Sequence, residues 1–77
     1  MDVETVSVSG EIRLGQFLKL AGAAESGAQA RELLAEGEVQ VNDEVETRRG
    51  RQLAAGDLVT VARPEGEVRL RVGQGVM

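Results

Sequence analysis

The hydrophobic period of this chain changes from two residues to 3.6 and back again, and that double change leaves few architectures open. Thr5-Val6-Ser7-Val8-Ser9 alternates apolar and polar residues, the pattern of a half-buried strand, and Gly10 ends it. Leu14, Phe17, Leu18 and Ala21 then stand at i, i+3, i+4 and i+7, one face of a helix. Gly22 follows where a left-handed C-cap is expected. Gly15 occupies a place where Asp or Ser would usually start a helix, which predicts a weakly capped N-terminus. A second helix is better marked. Ser26 is its N-cap, Gln29 completes a Ser-x-x-Gln capping box, and Ala30, Leu33 and Leu34 form its apolar face. Gly37 closes it, and the short link around Ala23 and Glu25 predicts that the two helices pack as a hairpin.

After Gly37 the period returns to two. Val39-Gln40-Val41 alternates, Asn42-Asp43 stands where a two-residue turn belongs, and Val45 and Thr47 continue the hairpin. Leu53 returns to the core, Ala55-Gly56-Asp57 makes a turn, and Leu58-Val59-Thr60-Val61 is the strongest strand signal. Pro64 and Gly66 break it before Glu67-Val68-Arg69-Leu70-Arg71-Val72 alternates as a last strand, with Gly73 and the residues after it as a frayed tail. The expected fold is α+β: two helices packed on a small twisted, mainly antiparallel sheet. Residues 1–77 form one domain at this length, with no visible repeat or low-complexity tract.

Composition removes several function classes. Cysteine and histidine are absent, which excludes thiol nucleophiles, disulfides, ordinary zinc sites and the usual general base. Phe17 is the single aromatic residue, so no stacking platform of several rings can form. Glu36 with Glu38, and Asp43-Glu44-Glu46, are the densest carboxylate groups, but a working acid/base pair needs a desolvated pocket that so small a core cannot wall. They read as a solvated acidic face. Gly73-Gln74-Gly75 is too short for a phosphate-cradling loop, and no calcium-loop spacing occurs. No enzyme activity, metal or cofactor is expected. Neither a targeting signal nor a stretch long enough to span a bilayer is visible, so a cytoplasmic protein that avoids membranes is expected.

The net charge of −4 conceals an uneven distribution. Residues 1–46 hold ten acids and three bases, and residues 47–77 hold three acids and six bases. Arg48, Arg49 and Arg51 fall within four positions, and their planar forks match phosphate oxygens in pairs. The bland alternative is a basic loop whose arginines pair with Glu44, Glu46 or Asp57. Arg31 lies off the apolar face of the second helix with Gln29 near it, and Arg13 and Lys19 stand at the two ends of the first helical segment. If the second helix and the arginine loop share a face, five or six donors converge on it.

Ile12-Arg13-Leu14-Gly15-Gln16-Phe17-Leu18-Lys19, Ser26-Gly27-Ala28-Gln29-Ala30-Arg31, Gly37-Glu38-Val39-Gln40-Val41-Asn42-Asp43 and Gly56-Asp57-Leu58-Val59 stand in this order. These four blocks resemble the S4-type RNA-binding domain, or alpha-L motif. The resemblance covers about residues 12–62, leaving 1–11 and 63–77 as extra edge strands and tail. Leu14 to Ala21 together with Arg48-Arg49-Gly50-Arg51 is similar to the subgroup of short bacterial proteins made of this domain alone, some encoded beside DNA replication and repair genes. The resemblance implies a non-catalytic module binding structured RNA, often ribosomal, with Arg13, Lys19, Ser26, Gln29 and Arg31 facing RNA from the helices. It also implies phosphate contacts from Arg48, Arg49 and Arg51. Gly15 departs from the usual Asp, Asp43 from the usual turn Gly, and Glu25 and Gly27 flank Ser26 where many members carry Arg or Lys. A monomer is expected. The rival reading is an adaptor whose acidic face, with Glu32, Glu36 and Glu38, binds a basic ribosome- or replication-associated protein; charge alone leaves DNA open as the polyanion.

Overall fold

In the computed structural model, which describes residues 3–74, the alternating segments become strands and the 3.6-period segments become helices. The order is β1 (Val3–Val8), β2 (Ile12–Arg13), α1 (Leu14–Leu20), α2 (Gly27–Ala35), β3 (Val39–Val41), β4 (Glu44–Val45), β5 (Gln52–Leu53), β6 (Leu58–Arg63) and β7 (Gly66–Gln74). Five strands form one sheet in the order β1-β7-β6-β3-β4, and β2 pairs with β5 in a separate two-stranded sheet. The α+β class, with a helix pair on a mainly antiparallel sheet, is as the periodicity predicts.

Four features differ from the sequence reading. β1 runs parallel to β7, from Val3 opposite Arg69 to Val8 opposite Gln74. The rest of the fold intervenes between them, which supplies the long crossover a parallel pair requires. β7, expected at an edge, runs between β1 and β6. Gly73 and Gln74, expected as frayed tail, pair with Ser7 and Val8; Gly75 and the residues after it lie outside the described residues. The two-residue pairing of Ile12 with Leu53 and Arg13 with Gln52 had no periodic signal, because two residues are too few to show a period.

One buried cluster joins the layers. Leu14, Phe17 and Leu18 of α1 and Ala30 and Leu34 of α2 pack with Val39, Val41, Val59, Val61, Leu70 and Val72 of the sheet. Ala23 and Ala24, in the interhelix link, are buried too, and the guanidinium of Arg63 donates to the Ala23 carbonyl at 2.7 Å. This ties the end of β6 to the helix hairpin. Gly22 and Gly37 take φ of 79° and 72°, ending both helices where predicted.

Asn42 and Asp43 both have positive φ, 52° and 71°, as a primed hairpin turn demands. Asn42 also bonds the neighbouring turn: its amide donates to Asp57 at 3.1 Å and its oxygen accepts from the Leu58 N–H at 3.0 Å. Asp57 is therefore committed to turn geometry. A left-handed conformation costs a non-glycine residue about 1–2 kcal/mol, part of which glycine gives back as unfolded-state entropy. Asp43→Gly is expected to stabilise the domain by up to about 1 kcal/mol, raising the thermal midpoint by about 4–8 °C in a domain of this size.

Candidate nucleic-acid interface

The arginine loop, residues 48–51, is fastened to α1 by its own backbone. The first N–H groups of a helix lack intrahelical partners. Here the Leu14 N–H donates to the Arg51 carbonyl at 2.8 Å and the Gly15 N–H to the Arg49 carbonyl at 2.9 Å. Arg13 adds a guanidinium bond to the Gly50 carbonyl at 3.0 Å, and its backbone N–H donates to the side-chain oxygen of Gln16 at 3.1 Å. No side chain caps the first N–H groups of α1, in line with the weak capping expected, and the loop carbonyls satisfy Leu14 and Gly15 instead. A Cβ built on Gly15 would lie 3.2 Å from the Cβ of Arg49. Gly15 serves close approach of the loop.

Beneath the loop sits Glu46. The sequence places it with Asp43 and Glu44 in a solvated acidic face, yet only 7% of its surface is exposed. Its carboxylate accepts from the Arg48 guanidinium at 3.0 and 3.2 Å, from the Arg48 backbone N–H at 3.1 Å and from Arg51 at 3.1 Å. Those bonds, the Arg48 guanidinium foremost, hold the carboxyl at about 2 against an ordinary 4.5, while burial opposes them. Of the acids expected as possible arginine partners, Glu46 takes two of the three arginines. Glu44 and Asp57 take none among the described residues. A depressed carboxyl contributes stability that is complete above pH 4.5 and is lost as pH falls through about 2. Thermal midpoints of wild type and Glu46→Gln should therefore differ at neutral pH, converge below pH 4.5 and meet near pH 2. A constant gap would contradict the clamp.

The clamp divides the three arginines. Arg51 is half-buried, with 30% of its side chain exposed, and is spent on the loop; Arg48 is 76% exposed although it also bonds Glu46. The Arg49 side chain makes no hydrogen bond or ion pair among the described residues. The same holds for Lys19 and Arg31 and for no other described cation.

Arg13, Gly15, Gln16, Lys19, Gly27, Ala30, Arg49 and Gly50 together line a groove of about 330 Å³ between α1, the start of α2 and the loop. Arg13, Gln16 and Lys19 follow i, i+3, i+6, a polar stripe beside the apolar face. That spacing could have revealed Gln16, which the sequence reading passed over; Gly27 and Ala30 gave no signal. No carboxylate lines the groove among the described residues. Gly27 opens α2, whose positive end adds to the field there.

Other expected site residues lie outside this groove. The Ser26 hydroxyl accepts from the Gln29 N–H at 3.1 Å, and the Gln29 side chain accepts from the Glu25 N–H, so both are engaged in starting α2. Arg31 is exposed but lines a separate depression with Ala28, Glu32 and Ala35. On the acidic side Glu32 and Glu36 are exposed and Glu38 is half-buried. No helix among the described residues is long and apolar enough to cross a membrane.

A helix hairpin on a sheet, with a β-hairpin leading into a cationic loop that docks back on the first helix, defines an alpha-L module. A model of the S4 domain family matches residues 6–70, and the chain belongs to that family. RlbA of Bacillus subtilis (strain 168), named a probable ribosome maturation protein, is 56% identical over 50 residues, 65% of this chain and 70% of RlbA. YbcJ of Escherichia coli (strain K12) is 47% identical over 51 residues, 66% of this chain and 73% of its own. The solution structure of Escherichia coli YbcJ, described as an alpha-L motif involved in RNA binding, matches with a TM-score of 0.58 and 36% identity. It covers 90% of this chain and 85% of that one.

Proposed function

We propose that this chain is a non-catalytic module that binds structured RNA on the face formed by α1, the start of α2 and the arginine loop. The observation that carries the reading is electrostatic. In a chain of net charge −4, Arg13 and Lys19 from the two ends of α1 and Arg49 from the loop come onto one groove that no carboxylate lines among the described residues. Arg48 extends the same loop into solvent. The cations that remain unpaired lie on the helices and the loop, while Arg63, Arg69 and Arg71 of the sheet are each engaged within the fold. The names of RlbA and YbcJ, which concern ribosome maturation and RNA binding, support the same reading.

The buried Phe17 leaves no ring for a base to stack on, so phosphates and RNA shape carry most contacts. Arg13, Lys19, Arg48 and Arg49 would meet phosphates, with Arg31 at the flank of α2, and Ser26, Gln29 and Arg51 would act by holding those elements in place. Filter binding with total bacterial RNA should show retention at low salt and loss at high salt. An adaptor for a basic protein would show retention at neither. Ribosomal RNA is the target class proposed within this reading. Crosslinking in cells followed by sequencing should recover ribosomal reads, and reads spread over unrelated transcripts or over DNA would remove that assignment.

A further inference from the structure

The shape of the groove goes further than its charge. At about 330 Å³ it lies at the small end of ligand cavities, room for one compact unit and not for a run of stacked bases. Four of its wall positions, Gly15, Gly27, Ala30 and Gly50, carry nothing larger than a methyl group. A Cβ built on Gly27 would meet no atom within 4 Å, so the space in front of it is open. The side-chain polar groups around that space are mostly donors. The Gln16 oxygen already accepts from the Arg13 N–H, and the guanidiniums of Arg13 and Arg49 and the ammonium of Lys19 donate only.

We propose that the groove receives one unpaired nucleotide of the bound RNA, an extrahelical guanine or uracil at a bulge or loop, with its flanking phosphates on Lys19, Arg49 and Arg13. This rests on the RNA-binding reading above and names what enters its site. A donor-rich lining matches the O6 and N7 acceptors of guanine or the O4 and O2 acceptors of uracil, whereas adenine places an N6 amine donor where those bases place a carbonyl oxygen. Unpaired bases reach such a site without the unstacking cost that a base drawn from a duplex would incur. The groove therefore selects for RNA already distorted at one position.

The test compares a fully paired RNA hairpin with the same hairpin carrying a single bulged uracil, a single bulged adenine or an abasic bulge, by fluorescence anisotropy. Wild-type protein is expected to bind the bulged-uracil hairpin at least about tenfold tighter than the paired one, about 1.4 kcal/mol, with the adenine and abasic bulges close to the paired RNA. Gly27→Leu, which fills open space at the first position of α2, should erase the preference, bringing the bulged-uracil hairpin down to the affinity of the paired one, in protein whose circular dichroism shows it folded. Equal binding of paired and bulged-uracil hairpins by wild type overturns the inference and leaves RNA binding standing. A preference that survives Gly27→Leu in folded protein overturns it too. Binding of neither hairpin overturns the RNA reading along with it.

Discussion

Reversing Lys19 and Arg49 together to glutamate should reduce affinity for structured RNA by at least about 100-fold while leaving the fold intact. Both side chains are exposed, and neither has a hydrogen-bond or ion-pair partner among the described residues, so their loss leaves nothing unsatisfied inside the domain. Each removal of a phosphate contact should flatten the dependence of log affinity on log salt by about one. The reversal adds repulsion at the same two places. Arg69→Ala, on the sheet and paired with Glu67 at 3.6 Å, is the matching control and should leave affinity unchanged. Arg51→Ala should act differently from Arg49→Ala. It strips one of the two guanidiniums from Glu46 and loosens the loop, so it should lower the thermal midpoint as well as affinity.

Phe17→Ala carries the largest expected stability effect. Phe17 has no exposed surface, is the single aromatic residue, and lies where α1 meets the rest of the core. Truncating a buried phenylalanine typically costs about 3–5 kcal/mol, from lost transfer energy and the cavity left behind. A domain of this length holds only about 4–12 kcal/mol in all. The thermal midpoint should therefore fall by more than about 12 °C, and much of the protein should be unfolded at 37 °C. Leu20→Ala on the same helix should change little, because Leu20 is 57% exposed. The contrast separates the buried stripe of α1 from the face that the groove uses.

What was legible in the sequence was local. The face of Leu14, Phe17 and Leu18, the Ser26 cap and the Asn42-Asp43 turn each need only a few neighbouring residues to declare themselves, and each takes its expected place. Long-range matters were not legible. Nothing near Val3–Val8 says that it pairs in parallel with a strand some sixty residues away, and nothing near Glu46 says that the chain folds over it. The candidate site divides in the same way. A run of three arginines looks uniform in sequence, yet Glu46 takes Arg48 and Arg51 and leaves Arg49 to the groove. Gly15 looked like a missing cap because the carbonyls that cap α1 come from residues 49 and 51, more than thirty positions downstream. Net charge misleads for a related reason: it averages an acidic surface with a groove whose lining the fold keeps free of carboxylates.

The central claim, that this acidic chain binds RNA phosphates through one cationic groove, is tested most directly by the salt dependence of its affinity for structured RNA. Three to five phosphate contacts should give a slope of log affinity against log salt of roughly −2 to −4 for wild type, reduced by about two in the Lys19 and Arg49 double variant. A wild-type slope near zero, or a slope unchanged by the double substitution, would contradict it.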